Sequence, residues 1–206
     1  MIKNIIFDWS GVIKDCVSDH FCAVNKIFKS FGIKEISLEE LKENWEQPYM
    51  RFYNKYLPNL NIEQEVVAYK KAIAENPKAK SYPGITDLIK KLKQTKRKIV
   101  IISSDDPETI LPEIESFKLK GIFDDVIVGV HDKSEAIEEL IRKHNFKPEE
   151  TIFIGDSNHE IEVGEKNGVI TAAVTWGFSA ENRLKTVNPD FIVHNLEELE
   201  KVILGN

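Results

Sequence analysis

The sequence predicts an α/β protein, a doubly wound parallel sheet with an all-helical insertion after its first strand. Three observations lead there. Six short β-branched apolar runs lie along the chain, most without polar alternation, as in strands buried on both faces. Segments with apolar residues at helical spacing separate the later runs, and this alternation builds a parallel sheet covered by helices. One stretch, residues 16–81, carries helical patterns alone.

The first run, Ile5-Ile6-Phe7, is halted by Asp8-Trp9-Ser10-Gly11, which reads as a buried strand ending in a tight turn. Helical patterns follow over residues 21–31, 38–45, 50–56 and 62–74, broken by Gly32, Pro48, Pro58 and Pro77. Residues 16–81 are therefore expected to form a small helical cap domain. Tyr82-Pro83-Gly84 returns the chain to the sheet, so residues 1–15 and 82–206 are expected to form the core domain. In that core a helix over 85–92 precedes the run Ile99-Val100-Ile101-Ile102, and Val126-Ile127-Val128 comes next. A helix over 134–144, with Ala136, Ile137, Leu140 and Ile141 on one face, precedes Thr151-Ile152-Phe153-Ile154. A helix over 161–167 stops at Gly168, and Thr171 to Val174, Phe191 to Val193 and a last helix over 196–204 complete the pattern. The order is Rossmann-like, and such sheets bind ligands at the carboxyl ends of their strands.

Composition narrows the function. A hydrophobic fraction of 42% and a charged fraction of 30% over 206 residues belong to an ordinary globular chain with a real core. The net charge of −6 argues against nucleic-acid and membrane partners. The basic run from Lys90 to Lys98 reads as the solvated face and end of a helix, where cations favour the negative dipole end. Cys16 and Cys22 are too few for a disulfide framework or a zinc site and read as semi-buried thiols in a reducing compartment. Met1 to Phe7 has no signal-peptide character, and no run of about 18 apolar residues occurs. A cytoplasmic location is expected.

Polar residues at strand ends carry the chemistry. The first strand delivers Asp8 and the second Ser103-Ser104. Lys133 lies just past the third, and Gly155-Asp156 ends the fourth, with Glu160 four residues on. Each alone is an ordinary turn, cap or surface residue. On successive parallel strands they converge on a single cleft.

These residues resemble the motifs of the haloacid dehalogenase (HAD) superfamily, over nearly the whole chain. Phe7-Asp8-Trp9-Ser10-Gly11-Val12-Ile13-Lys14-Asp15 is similar to its first motif, Asp-x-Asp-Gly-Thr/Val-hydrophobic-x-Asp. Ile101-Ile102-Ser103 resembles the second, Lys133 the third, and Gly155-Asp156-Ser157-Asn158-His159-Glu160 the fourth, Gly-Asp-x-x-x-Asp. Ala173-Val174-Thr175-Trp176-Gly177-Phe178 resembles a stretch of phosphoglycolate-phosphatase-like members, and the insertion stands where members with a C1-type cap carry theirs. The resemblance implies a magnesium-dependent phosphohydrolase acting on a small phosphorylated metabolite. Asp8 would be the nucleophile, forming an aspartyl-phosphate, and Asp8, the Ser10 carbonyl and Asp156 would hold Mg2+. Lys133 would hold Asp8 and the phosphoryl group and Ser103 would bond a phosphoryl oxygen, while Glu160 would orient the metal's waters, with Ser104 and Ser157 behind the site.

Ser10 departs from the pattern. Phosphatases of the family place an Asp there, which protonates the leaving alkoxide and later activates water. A serine hydroxyl does not titrate near neutral pH, and losing a general acid–base costs on the order of 10²–10⁴ in rate. Three readings follow: substrates whose leaving group needs little protonation, an acid supplied by the cap (Glu46, His20 or Asp19), or a phospholigand-binding protein with weak turnover. Dehalogenase chemistry fits poorly, since that branch carries Tyr at this position. A phosphonate-cleaving site would need a cap lysine such as Lys26 or Lys29. The cap aromatics Trp45, Tyr49, Phe52, Tyr53 and Tyr56 read as cap core before substrate wall, and Arg51 as surface.

Overall fold

The chain opens with a buried strand, β1 (Asn4–Phe7), and a short strand, β2 (Lys14–Asp15), in the computed structural model, which describes residues 1–74, 79–130 and 133–205. Four helices come next: α1 (Val17–Ser30), α2 (Leu38–Asn44), α3 (Met50–Tyr56) and α4 (Ile62–Ile73). Strand β3 (Lys80–Ser81) then pairs antiparallel with β2, so a two-stranded ribbon brackets the helical insertion. The rest alternates: α5 (Ile85–Gln94), β4 (Lys98–Ile102), α6 (Pro107–Ser116), β5 (Asp125–Ile127) and α7 (Lys133–His144). It closes with β6 (Thr151–Gly155), α8 (Asn158–Lys166), β7 (Ile170–Val174), α9 (Glu181–Lys185), β8 (Phe191–Val193) and α10 (Leu196–Leu204).

The six longer strands form one parallel sheet in the order β5-β4-β1-β6-β7-β8, a Rossmann-like arrangement. The chain builds outward from β1 through β4 to β5, crosses to β6, and builds outward on the other side. The crevice at the carboxyl end of β1 is thus the switch point of the sheet. Strand side chains alternate between two cores. Ile5, Phe7, Ile99, Ile101, Ile152 and Ile154 pack under α5, α6 and α10, whereas Ile6, Val100, Ile102 and Phe153 pack under α7 and α8. Both faces are dry, so period-two alternation of polarity is absent and the strands read as continuous apolar runs.

The helical insertion has its own core, with Val24, Phe28, Leu41, Trp45, Phe52 and Tyr53 buried together. The sequence shows why these segments start where they do. Ser37 caps α2 by accepting from the Glu40 amide, and Asn61 with Gln64 forms a capping box at α4. Gly32 after α1 takes φ +75°, while Pro77 lies outside the described residues. The aromatic stripe is core, as expected, with one addition: Phe178, from the loop after β7, stacks on Trp45 with ring centroids 4.7 Å apart. The same loop and α9 fasten the end of α2. The Ala180 amide donates to the Lys42 carbonyl at 3.1 Å, and Arg183 Nη1 donates to the carbonyls of Glu43 and Trp45 at 3.0 and 2.5 Å.

Four elements escape the sequence pattern. β2 and β3 have two residues each, too few to show a period. α6 starts on Pro107 and contains Pro112; Pro at a first helical position is favourable because its missing amide is not needed there. α9 is five residues long. Cys16 is partly buried, but Cys22 is exposed rather than semi-buried. The basic run is met by acids of neighbouring elements, Lys93 and Lys98 by Asp124 and Lys91 by Glu200. Among the described residues no helix is long and apolar enough to cross a membrane.

Phe52 is fully buried against Phe28, Trp45 and Tyr53. Phe52→Ala is expected to lower unfolding free energy by about 3–5 kcal/mol in urea titrations. A loss below about 1 kcal/mol would show that the helices can close over the cavity.

Candidate active site

Asp8 leaves β1 at the switch point, and its amide donates to the Ile154 carbonyl of β6 at 3.0 Å, which fixes the side chain over the crevice. The turn behind it is tight, for the Trp9 carbonyl accepts from both Ile13 and Lys14 amides at 2.9 Å. Glu113 of α6 braces that turn, accepting from Trp9 Nε1 at 2.7 Å and pairing with Lys14 at 2.6 Å. Gly11 takes φ +85°, and a Cβ there would lie 2.0 Å from Asp156 Oδ2. Only glycine lets this backbone approach the second carboxylate so closely.

Lys133, at the start of α7, is the hub. Its ammonium donates to Asp8 Oδ1 and to Glu160 Oε1, each at 2.8 Å, with about one-twentieth of the side chain exposed. Glu160 spends its other oxygen on the Ser157 amide at 2.9 Å and on the Ser157 hydroxyl, the capping box that starts α8. Asp156 follows β6 directly and accepts from the Phe178 amide at 2.6 Å through Oδ2. Ser103 is buried at the end of β4, while Ser104 is exposed.

Asp8, Asp156 and Glu160 each offer an oxygen, all within 4.8 Å of one another and all buried. Three carboxylates thus face one ammonium. Burial raises the Asp8 carboxyl to about 7 against the pull of Lys133, with Glu160 adding to the rise. Asp156 is raised well above the ordinary carboxylate range by burial and by the charges of Glu160 and Asp8. Burial also works to raise Glu160, but Lys133 and Ser157 overcome it and hold that carboxyl low. Lys133 is raised despite its burial because Asp8 and Glu160 stabilise its charge. A pocket so rich in buried, hard oxygen donors suits a divalent cation.

The structure brings Asp8, Lys133, Glu160 and Ser157 into one bonded group, with Asp156 beside it. Ser103 is not bonded to them; its Oγ accepts from the Asp105 amide at 3.1 Å. Sequence reasoning missed Asp105, whose Oδ2 accepts from Ser10 Oγ at 2.5 Å. Its signal was position, two residues past Ser103 at the same sheet edge. Of the acids considered for the cap, Glu46 pairs with Lys55 at 2.8 Å and Arg51 at 3.7 Å. His20 is wedged among Trp45, Tyr69 and Phe178, and burial lowers its pKa to about 4, so the ring is neutral. Asp19 stands partly exposed in the first turn of α1. Lys26 is used on the Ala72 carbonyl at 2.9 Å.

A family model described as haloacid dehalogenase-like hydrolase matches residues 5–174. The chain belongs to that family and is an enzyme of its phosphatase type. Among curated relatives, a pyrophosphatase PpaX of Halalkalibacterium halodurans is 28% identical, and the match covers 98% of this chain and 97% of that one. A phosphoglycolate phosphatase of Aquifex aeolicus is 25% identical with the same coverage. Of solved structures, a predicted phosphatase from Clostridium acetobutylicum shares the fold with a TM-score of 0.81 at 24% identity, over 100% of both chains.

Lys133→Met would leave Asp8 and Glu160 buried without their counter-charge. A loss of about 3–5 kcal/mol in unfolding free energy is expected at neutral pH. Without the lysine Asp8 rises further and Glu160 loses the charge that holds it low, so both stand above their unfolded values. The deficit should therefore shrink as pH falls into the ordinary carboxylate range, where protonation removes the uncompensated charge. A deficit constant from pH 4 to 8 would mean that Lys133 acts by packing alone.

Proposed function

We propose that this enzyme is a magnesium-dependent phosphohydrolase acting on a small phosphorylated metabolite through an aspartyl-phosphate on Asp8. The observation that carries the reading is the bonded group of Asp8, Lys133 and Glu160 beside Asp156, buried at the switch point. Asp8 Oδ2, opposite the oxygen held by Lys133, attacks phosphorus. Lys133 keeps the nucleophile oriented and offers positive charge to the transferring phosphoryl group. The Ser103 hydroxyl meets a phosphoryl oxygen from the neighbouring strand end. Glu160, with both oxygens engaged, positions Lys133.

Asp8, Asp156 and the Ser10 carbonyl would hold Mg2+, which supplies charge neutralisation that lets an anionic carboxylate approach a phosphate. Residues 16–81 act as a cap domain over the core formed by residues 1–15 and 82–206, and shield the site from water during transfer. The pyrophosphatase and phosphoglycolate phosphatase names of the relatives support a compact anionic substrate.

Asp8→Asn is expected to reduce phosphate release by at least about 10³-fold, because an amide is no nucleophile. Mg2+ should raise the thermal midpoint of the wild type and leave that of Asp156→Asn unchanged. Turnover surviving in purified Asp8→Asn, or a wild type indifferent to Mg2+, would reject the assignment.

A further inference from the structure

A helix leaves its last four carbonyls without partners of its own. In α2 these belong to Leu41, Lys42, Glu43 and Asn44, and each finds a donor. Two donors come from the insertion itself: the Trp45 amide serves Leu41 at 2.7 Å, and Lys55 Nζ serves Asn44 at 3.0 Å. The other two come from the sheet domain. The Ala180 amide donates to the Lys42 carbonyl at 3.1 Å, and Arg183 Nη1 donates to that of Glu43 at 3.0 Å while also reaching that of Trp45 at 2.5 Å. A guanidinium suits this place as donor and as charge, because the C-terminal end of a helix is its negative pole. The segment that supplies these donors is firmly footed. Leu184 is fully buried with Ile161 of α8 and Ala173 of β7, and the Ser179 amide donates to the Asp156 carbonyl at 3.2 Å. The end of α2 is thus completed by the sheet domain.

We propose that Arg183 is a positioning residue for the hydrolytic reaction: it straps α2 to the sheet domain and holds the helical insertion closed over the acid cluster. This rests on the reading of residues 16–81 as a cap. Two groups on α2 take their places through the strap. Trp45 is kept stacked on Phe178, whose amide bonds Asp156. Lys42, half-buried, is kept close enough to Asp156 for their charges to interact. Arg183 acts through α2 alone. Opening the insertion releases one guanidinium from two carbonyls and one amide from a third. Hydrogen bonds from a charged donor are the stronger kind, yet water can replace them at a surface. The strap therefore biases the insertion toward closure and still lets go at each turnover.

The test pairs amide hydrogen exchange with steady-state hydrolysis of p-nitrophenyl phosphate in magnesium buffer. Arg183→Met keeps an unbranched side chain and removes both bonds to the α2 carbonyls. Exchange over residues 41–45 should quicken while that of β1, β4 and β6 stays as in the wild type. Because substrate must then supply the closure that the strap supplied, KM should rise about tenfold, with kcat little changed. Arg183→Lys keeps the charge and a donor and should recover part of that rise. Ala180→Pro probes the strap from its other bond. Ala180 has φ −67°, which proline favours, but the ring removes the donor and sets a methylene against the Lys42 carbonyl. It should raise KM in the same way. An unchanged KM in Arg183→Met overturns the proposal. So does a fall in kcat and melting temperature at constant KM, the mark of a merely structural contact. A wild type inert toward the ester rejects the phosphohydrolase reading and leaves the strap to the exchange data, where no quickening in α2 of Arg183→Met overturns it.

Discussion

A single buried ammonium, that of Lys133, lies between Asp8 and Glu160, and much of the molecule exists to make that placement tolerable. Burying ions is expensive unless each finds partners, so the ammonium and the carboxylate behind it are each bonded more than once. Lys133 reaches two carboxylates, and Glu160 divides its oxygens between Lys133 and Ser157. The three residues arrive on β1, α7 and α8, elements far apart in sequence. The parallel sheet holds them together by setting β1 beside β6, in a register that pairs Phe7 with Ile154.

Much of this was legible in the residues. The four inner strands, buried almost throughout, advertise themselves as apolar runs, and the half-buried edge strands β5 and β8 carry shorter runs that could be read the same way. Helices of the insertion showed through periodicity and through prolines and glycines between them. Asp8, Lys133 and Asp156 stood out because polar residues at the ends of such runs are costly without purpose. Asp105 did not, since an acid in a polar loop after Ser103-Ser104 looks like any solvated turn, and its partnership with Ser10 spans 95 positions of sequence. The bracing of the Trp9 turn by Glu113 was hidden for the same reason: tertiary hydrogen bonds between side chains leave no local pattern.

Glycine at three places marks where backbone and carboxylate share space. Cβ atoms added at Gly11 and Gly177 would fall 2.0 and 2.1 Å from Asp156 Oδ2, and one at Gly155 would fall 2.3 Å from Glu160 Cβ. Asp156 is therefore gripped from two sides by backbone that carries no side chain, and its rotamer is set by steric enclosure as much as by hydrogen bonding. Pre-organisation of this kind spares the acid cluster the work of ordering itself at the moment of reaction.

Phe178 belongs to two structures at once. Its amide donates to Asp156 while its ring stacks on Trp45 and touches His20, both in the helical insertion. The backbone that steadies a carboxylate of the acid cluster is thereby the mechanical footing of the helices above. Any tilt of α2 that shears Trp45 across Phe178 transmits torque to the Asp156 hydrogen bond, and any shift of Asp156 travels outward along the same lever. Phe178 is thus shared between the acid pocket and the core of the helical insertion.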